Sequence, residues 1–174
     1  MSRFILLILC SWFSASFATA TDAKLGAEVE WRAESTLGVV KIFGKGGKAT
    51  GVGKIDEKGM VSGTFECDLS DFDTGNELRN DHMKVKYLDT TAHPKAVLAL
   101  DPVKVSKDKF AWTGKLTLKG QTKPISGLAS LSGNKLWAEF VVSLTDYPAI
   151  GIPQYGKITV AKDVTVIVRG IISK

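Results

Sequence analysis

Residues Ala27-Glu28-Val29-Glu30-Trp31-Arg32-Ala33-Glu34 alternate strictly between apolar and charged side chains. An extended strand sends successive side chains to opposite faces, so this octet has one dry and one wet face, and its dry face must be covered. The same two-residue period returns in residues 37–43, 49–56, 60–69, 96–105, 110–118, 124–131, 135–144 and 164–172. Gly44, Gly46 and Gly47 punctuate the gap between the second and third segments. The turn Asp56-Glu57-Lys58-Gly59 predicts a hairpin between its neighbours. Gly114 and Gly120 sit where a bent or closely packed strand tolerates glycine. These segments predict eight or so antiparallel strands. Such a set buries its dry face either as a two-sheet sandwich or as a closed barrel, and a barrel of about eight strands can enclose one small ligand.

One segment breaks the pattern. Residues 74–94 read TGNELRNDHMKVKYLDTTAHP, with Leu78, His82, Val85 and Leu88 at helical spacing and Lys84 and Lys86 turned away. Thr74-Gly75-Asn76-Glu77 fits a capping box, in which the threonine hydroxyl and the glutamate each satisfy a free backbone donor. Pro94 stops the helix, and His93 before it is biased towards an extended conformation in a solvent-facing turn.

The first twenty residues predict a secretory signal peptide. Arg3 is followed by an apolar run over residues 4–10 that is too short to span a bilayer, and Ala18-Thr19-Ala20 supplies a cleavage site. Cleavage there leaves residues 21–174 as one exported domain, periplasmic or secreted. Cys10 departs with the leader, so Cys67 has no intramolecular disulfide partner. It alternates with Phe65 and Leu69 on an apolar face, which predicts a buried, inert thiol. No later stretch reaches the length of a membrane helix, so no stable membrane insertion is expected. The chain carries 23 Lys+Arg against 18 Asp+Glu, and its lysines are scattered without a basic run. That pattern fits a solvated surface and gives no footprint for nucleic acid.

Catalytic arrangements are poorly represented. Asp81 and His82 are sequence neighbours and project about 100° apart on a helix, so one is badly placed to orient the other. No G-x-S-x-G turn and no H-E-x-x-H pair occurs, and the chain has two histidines. Asp71 and Asp73 are explained by the positive end of the helix that follows them. The chain is read as a non-enzyme without metal or cofactor.

Three blocks resemble the YceI-like family of secreted, lipocalin-like bacterial proteins: Arg79-Asn80-Asp81-His82-Met83 with Lys86-Tyr87-Leu88 and Pro94; Gly114 to Pro124, GKLTLKGQTKP; and Leu144-Thr145-Asp146-Tyr147 with Ile152-Pro153 and Val164-Thr165-Val166. They stand in family order and, with flanking strands, cover nearly all of residues 27–172. The resemblance implies an all-β fold, an elongated antiparallel lipocalin-like barrel of about eight strands with one inserted helix. It also implies a binding protein for an isoprenoid or other lipid-like chain, in a family many of whose members pair as dimers. Asn80, His93, Gln121 and Pro148-Ala149 depart from the family pattern.

An apolar ligand also makes physical sense, since burying one five-carbon isoprene unit contributes about 4 kcal/mol before ordering costs. Candidate contacts on the dry faces are Trp31, Phe65, Leu98, Phe110, Trp112, Leu116, Phe140 and Val142; Ile150, Ile152 and Tyr155 come from the irregular segment before the last strand. For any one of them ordinary core packing is favoured over ligand contact, since large apolar residues are mostly just buried. Arg79 and His82 lie one helical turn apart and either meet a polar head group or anchor the helix, with His82 bonding a loop carbonyl and Arg79 pairing Asp71, Asp73 or Asp81. The expected activity is that of an exported carrier of an amphiphilic lipid: an isoprenoid, a quinone-like molecule or a fatty chain. The alternatives are a fully packed barrel whose partner is another protein and, third, a hydrolase.

Overall fold

The alternating octet is the second half of a longer strand, β1 (Thr21–Glu34), whose buried residues Ala23, Val29 and Ala33 all fall on one parity. A computed structural model describes residues 21–36 and 38–173; the expected signal peptide, with Cys10, and Leu37 lie outside the described residues. After β1 come β2 (Lys41–Ile55), β3 (Met60–Asp68), β4 (Lys95–Lys104), β5 (Phe110–Leu118), β6 (Gln121–Ser132), β7 (Lys135–Ser143), a short pair β8 (Gln154–Tyr155) and β9 (Ile158–Thr159), and β10 (Asp163–Ser173). The eight long strands form a closed barrel in the order β1-β10-β7-β6-β5-β4-β3-β2, and every pairing is antiparallel. Closure runs from Lys24 opposite Ser173 to Arg32 opposite Thr165. A barrel and not a sandwich is therefore the solution, and it leaves no long strand with an unpaired edge.

The glycines at 44, 46 and 47 do not separate two strands. β2 runs straight through them, and its register with β1 shifts between Val29 and Trp31. Their purpose is close approach: a Cβ on Gly44 would fall inside the Trp31 indole, and one on Gly47 would lie 2.5 Å from the Phe72 ring. Turn chemistry is genuine at Lys119-Gly120, where φ is 45° and 72°. Two consecutive left-handed residues make the type I′ connection that suits the twist of the β5–β6 hairpin.

All the long connections, residues 35–40, 69–94 and 144–162, gather at one end of the barrel with the Lys119-Gly120 turn. Short turns close the other end. The long-connection end is plugged from the chain's own residues: Leu69, Phe72, Leu144, Tyr147 and Ile150 form one buried cluster with Leu116 and Val142. Tyr147 is the most deeply buried of them at 1% exposure, and its hydroxyl donates to the Leu116 carbonyl at 3.0 Å. Gln121 holds the same connection from outside by accepting from the Ala149 amide at 3.0 Å. Nearer the other end, Trp112, Ala129 and Ala138 make a second cluster.

The helical segment is two short helices in series, an α-helical turn α1 (Glu77–Asp81) and a π-helical stretch over His82–Leu88. The expected capping box does not form. Asn76 is the cap, accepting from the Arg79 amide at 3.0 Å. Thr74 is drawn away because its hydroxyl and amide both donate to the Asn80 side-chain oxygen, each at 2.8 Å. Asn80 in turn donates to Asp73 at 2.8 Å, and this bond, with one from the Gly75 amide and the nearby charges of Lys45 and Lys84, holds the Asp73 carboxyl below its ordinary range. Widening the helix also changes which side chains face inward. In the wider i→i+5 stretch Met83, Tyr87 and Leu88 line the cavity, whereas Val85 is 71% exposed. The Val85 position expected from a 3.6-residue period is thus overturned.

Candidate ligand cavity

The inward parity of every long strand is apolar, and the side chains do not fill the space they surround. A cavity of about 730 Å³ runs through the barrel, from Ala23, Val103 and Leu136 near the short-turn end to Leu144 and Ile150 at the other. It lies within the roughly 300–1,000 Å³ range of small-molecule sites. The fully packed interior raised as an alternative is not what this chain builds.

Eleven of the thirteen candidate residues line the cavity: Trp31, Phe65, Arg79, His82, Leu98, Phe110, Trp112, Leu116, Phe140, Val142 and Ile150. Ile152 does not. Gly151 adopts φ 72°, which reverses the chain after Ile150, so Ile152 is 37% exposed and Pro153 takes the inward position. The backbone of Tyr155 pairs with Ile158, and its side chain lies outside the described residues.

Polar lining is concentrated where the helix meets the β8–β9 hairpin, at Asn76, Arg79, His82 and Gln154. The Arg79 guanidinium donates through Nε to the Thr74 hydroxyl at 3.2 Å and through Nη2 to the Thr74 carbonyl at 3.4 Å. None of the ion pairs among the described residues includes it, so the expected pairing with Asp71, Asp73 or Asp81 does not occur. The arginine is held in place by neutral acceptors and keeps its charge uncompensated by a carboxylate contact. Donors left over on a fixed fork suit a carbonyl, phosphate or carboxylate at that end.

Two residues absent from the sequence-based set complete this end. Tyr87 donates its hydroxyl to the Gln154 carbonyl at 3.2 Å and accepts from the Gln154 amide at 3.0 Å. The Lys119 ammonium donates to the Tyr87 carbonyl at 2.8 Å, satisfying an orphan acceptor at the helix C-terminus. The residues involved are far apart in sequence, and no periodicity links them. Val164, Val166 and Val168 also line the cavity, and these were findable from their period of two. His93, expected in solvent, is half-buried with its ring against Gly120.

The Cys67 thiol faces the same cavity. Burial, followed by the charges of Asp68 and Asp71, pushes it up to about 12 from 9.0. A thiol so disposed is neither a nucleophile nor a metal ligand at neutral pH. Among the described residues no group of three or more His, Cys, Asp and Glu is placed to hold a metal ion, and no helix is long and apolar enough to cross a membrane.

Comparison with known proteins agrees with this architecture. Protein YceI of Shigella flexneri is 32% identical over 129 residues, which cover 70% of this chain and 67% of that protein. Among solved structures, Burkholderia cenocepacia BcnA superposes with a TM-score of 0.65 at 21% identity, covering 85% of this chain and 96% of that one. A polyisoprenoid binding domain from Saccharophagus degradans, implicated in plant cell wall breakdown, superposes with a TM-score of 0.60 at 13% identity, covering 86% and 97%. The profile of the YceI-like domain matches residues 21–170, so this eight-stranded barrel belongs to the YceI-like family.

Proposed function

We propose that the protein is an exported carrier that takes up an amphiphilic lipid, an isoprenoid, quinone-like or fatty chain, with the chain in the barrel and the polar head beside Arg79 and His82. One observation carries this reading: a cavity of about 730 Å³ whose walls are apolar along the strands and polar at the helix end. Its relation to a polyisoprenoid binding domain supports an isoprenoid-type ligand. The positive residue, apolar run and small-residue site within the first twenty residues support export.

The energetics favour a long tail. Association costs on the order of 4–15 kcal/mol, and each buried isoprene unit contributes about 4 kcal/mol, so several units must be enclosed before binding becomes tight. Among the described residues the inward faces of the long strands are apolar, so they offer a ligand burial, while the charged contact lies at the helix end.

Organic extraction and mass spectrometry of the protein purified from its own host test the proposal. A co-purifying lipid, together with measurable affinity for long-chain quinones or polyprenyl phosphates, is expected. Repeated preparations with no bound lipid and no affinity for either class overturn it. Arg79→Gln separates the head-group role: affinity for a polyprenyl phosphate should fall about tenfold while affinity for the corresponding alcohol changes little.

A further inference from the structure

The mouth of the cavity is apolar on its outside as well. Of the residues that line the cavity, those exposed to solvent are Asn76, Leu78, Gln154 and Ile158, all from the helical segment and the β8–β9 hairpin. Leu78 is 53% and Ile158 45% exposed, so the apolar wall continues out to the surface there. Towards the short turns the lining residues are buried or half-buried.

Three further large apolar side chains stand out from the connections at this end: Val39, 80% exposed, Val85 and Ile152. Each long connection thus carries at least one, and hydrogen bonds hold the connections side by side. The Thr36 amide donates to the Thr159 carbonyl at 2.9 Å, which sets the turn bearing Val39 against β9, while the Tyr87–Gln154 pair joins the helical segment to β8. The Val39 turn is itself fixed, since the Ser35 amide donates to the Val40 carbonyl at 2.8 Å and the Ser35 hydroxyl accepts from the Val40 amide at 3.1 Å. An apolar side chain held out in water by a well-bonded turn marks a contact surface.

Charge and the cavity behind the rim select the occupant. The exposed charged residues within 38–40, 76–88 and 151–160 are Glu77, Asp81, Lys86 and Lys157, two of each sign. A balanced rim fits the paired charges of a zwitterionic headgroup layer and draws neither a strongly acidic nor a strongly basic partner. Two copies joined mouth to mouth would close both cavities against exchange. A lipid tail passing through water forfeits its burial on the way, and direct contact between mouth and bilayer avoids that loss.

We propose that this rim docks on a zwitterionic lipid bilayer, with Val39, Leu78, Val85, Ile152 and Ile158 entering the headgroup boundary and the cavity mouth facing the acyl chains. This rests on the lipid-carrier reading above and adds to it the surface at which the lipid is taken up or delivered. A few side chains on separate turns make a shallow, reversible contact and no permanent anchor.

Flotation of the protein purified from its own host with dioleoylphosphatidylcholine vesicles tests the proposal. The wild-type protein should partition onto the vesicles equally, within about twofold, at about 0.05 M and about 0.5 M salt, since the rim carries no net charge to screen. Val39→Asp combined with Val85→Asp should lower partitioning at least about tenfold. Neither residue lines the cavity and both are exposed, so uptake of N-phenyl-1-naphthylamine from cyclodextrin should stay within about twofold in the double variant. On the unmutated protein, bicelles of the same lipid carrying a doxyl label should broaden the methyl resonances of Val39, Val85 and Ile158. They should spare Val52 and Ile171, which are exposed on β2 and β10 towards the short turns. Dye uptake without vesicle partitioning overturns the docking surface and leaves the carrier reading standing; absence of dye uptake overturns the carrier reading, and the docking with it. Partitioning that survives the double substitution, broadening spread evenly over the surface, or a dimer that the same substitutions dissolve also overturns the proposal.

Discussion

Tyr87 and Gln154, 67 residues apart in sequence, exchange two hydrogen bonds through one phenol oxygen, which accepts the Gln154 amide and donates to the Gln154 carbonyl. One partner belongs to the π-helical stretch and the other to the β8–β9 hairpin, and both line the cavity. The contact ties the helical and hairpin sides of the polar end together.

Tyr87→Phe keeps the ring and removes both bonds. Each is partly open to solvent, so the expected loss of stability is modest, about 1–2 kcal/mol for the pair. The sharper readout is local. Hydrogen exchange at the Gln154 amide should accelerate at least tenfold while amides in β5 and β6 keep their protection. Release of a bound fluorescent lipid should also quicken. Unchanged exchange at Gln154 would show that the hairpin is held by something else.

The β2 glycines make a prediction through steric contact. Gly47→Ala places a methyl 2.5 Å from the ring of Phe72, which is 5% exposed and has little freedom to retreat. Overpacking of this kind costs about 1–3 kcal/mol, read as a lower urea midpoint. Gly26→Ala is the control, because a Cβ there meets nothing within 4 Å. It should stay within about 0.5 kcal/mol of wild type.

These glycines also mark what was legible in the sequence. Period-two alternation identified the strands and most of the cavity wall, because a barrel interior is simply the apolar parity of each strand. In local pattern Gly44 and Gly47 punctuate two strand segments; their role depends on Trp31 and Phe72, which local pattern does not place beside them. The helix failed in the same manner. A capping box at Thr74 is locally sound, yet Asn80 outcompetes it, and a π-helical turn cancels the 3.6-residue period that put Val85 inside. Two departures from the family pattern turn out to be one feature: Gln121 bonds the amide of Ala149, so the substituted side chain and the substituted segment support each other.

Cys67 should be close to unreactive in the folded protein. With its thiol pushed up to about 12, the thiolate fraction at pH 8 is on the order of 1 in 10⁴, against about 1 in 10 for an ordinary thiol at 9.0. Alkylation by iodoacetamide at pH 8 is therefore expected to be about a thousandfold slower than in urea-unfolded protein. A native rate within tenfold of the unfolded rate would contradict the buried, inert assignment. Because the thiol faces the cavity, a bound lipid should slow alkylation further.

Tyr147 and Cys67 should both contribute to a loss of stability at alkaline pH. Burial, then the charge of Asp146, pushes the Tyr147 hydroxyl up to about 12 from 10.0, and Cys67 rises to about 12 from 9.0. Both groups are neutral when protonated, and the folded protein retains their protons at pH values where the unfolded chain has released them. Between 9 and 12 the folded state therefore binds more protons, and stability falls as pH rises; below 9 the contribution is fully present. Tyr147→Phe should show two separable effects in urea titrations across pH. At neutral pH it loses the bond to the Leu116 carbonyl, at a cost of about 1–2 kcal/mol. Above pH 10 its decline should be shallower than that of the wild-type protein, since one of the two titrating groups is gone. In Tyr147→Phe combined with Cys67→Ala the share of both groups is absent. An alkaline decline of wild-type steepness in the double variant would mean that neither group carries the pH dependence.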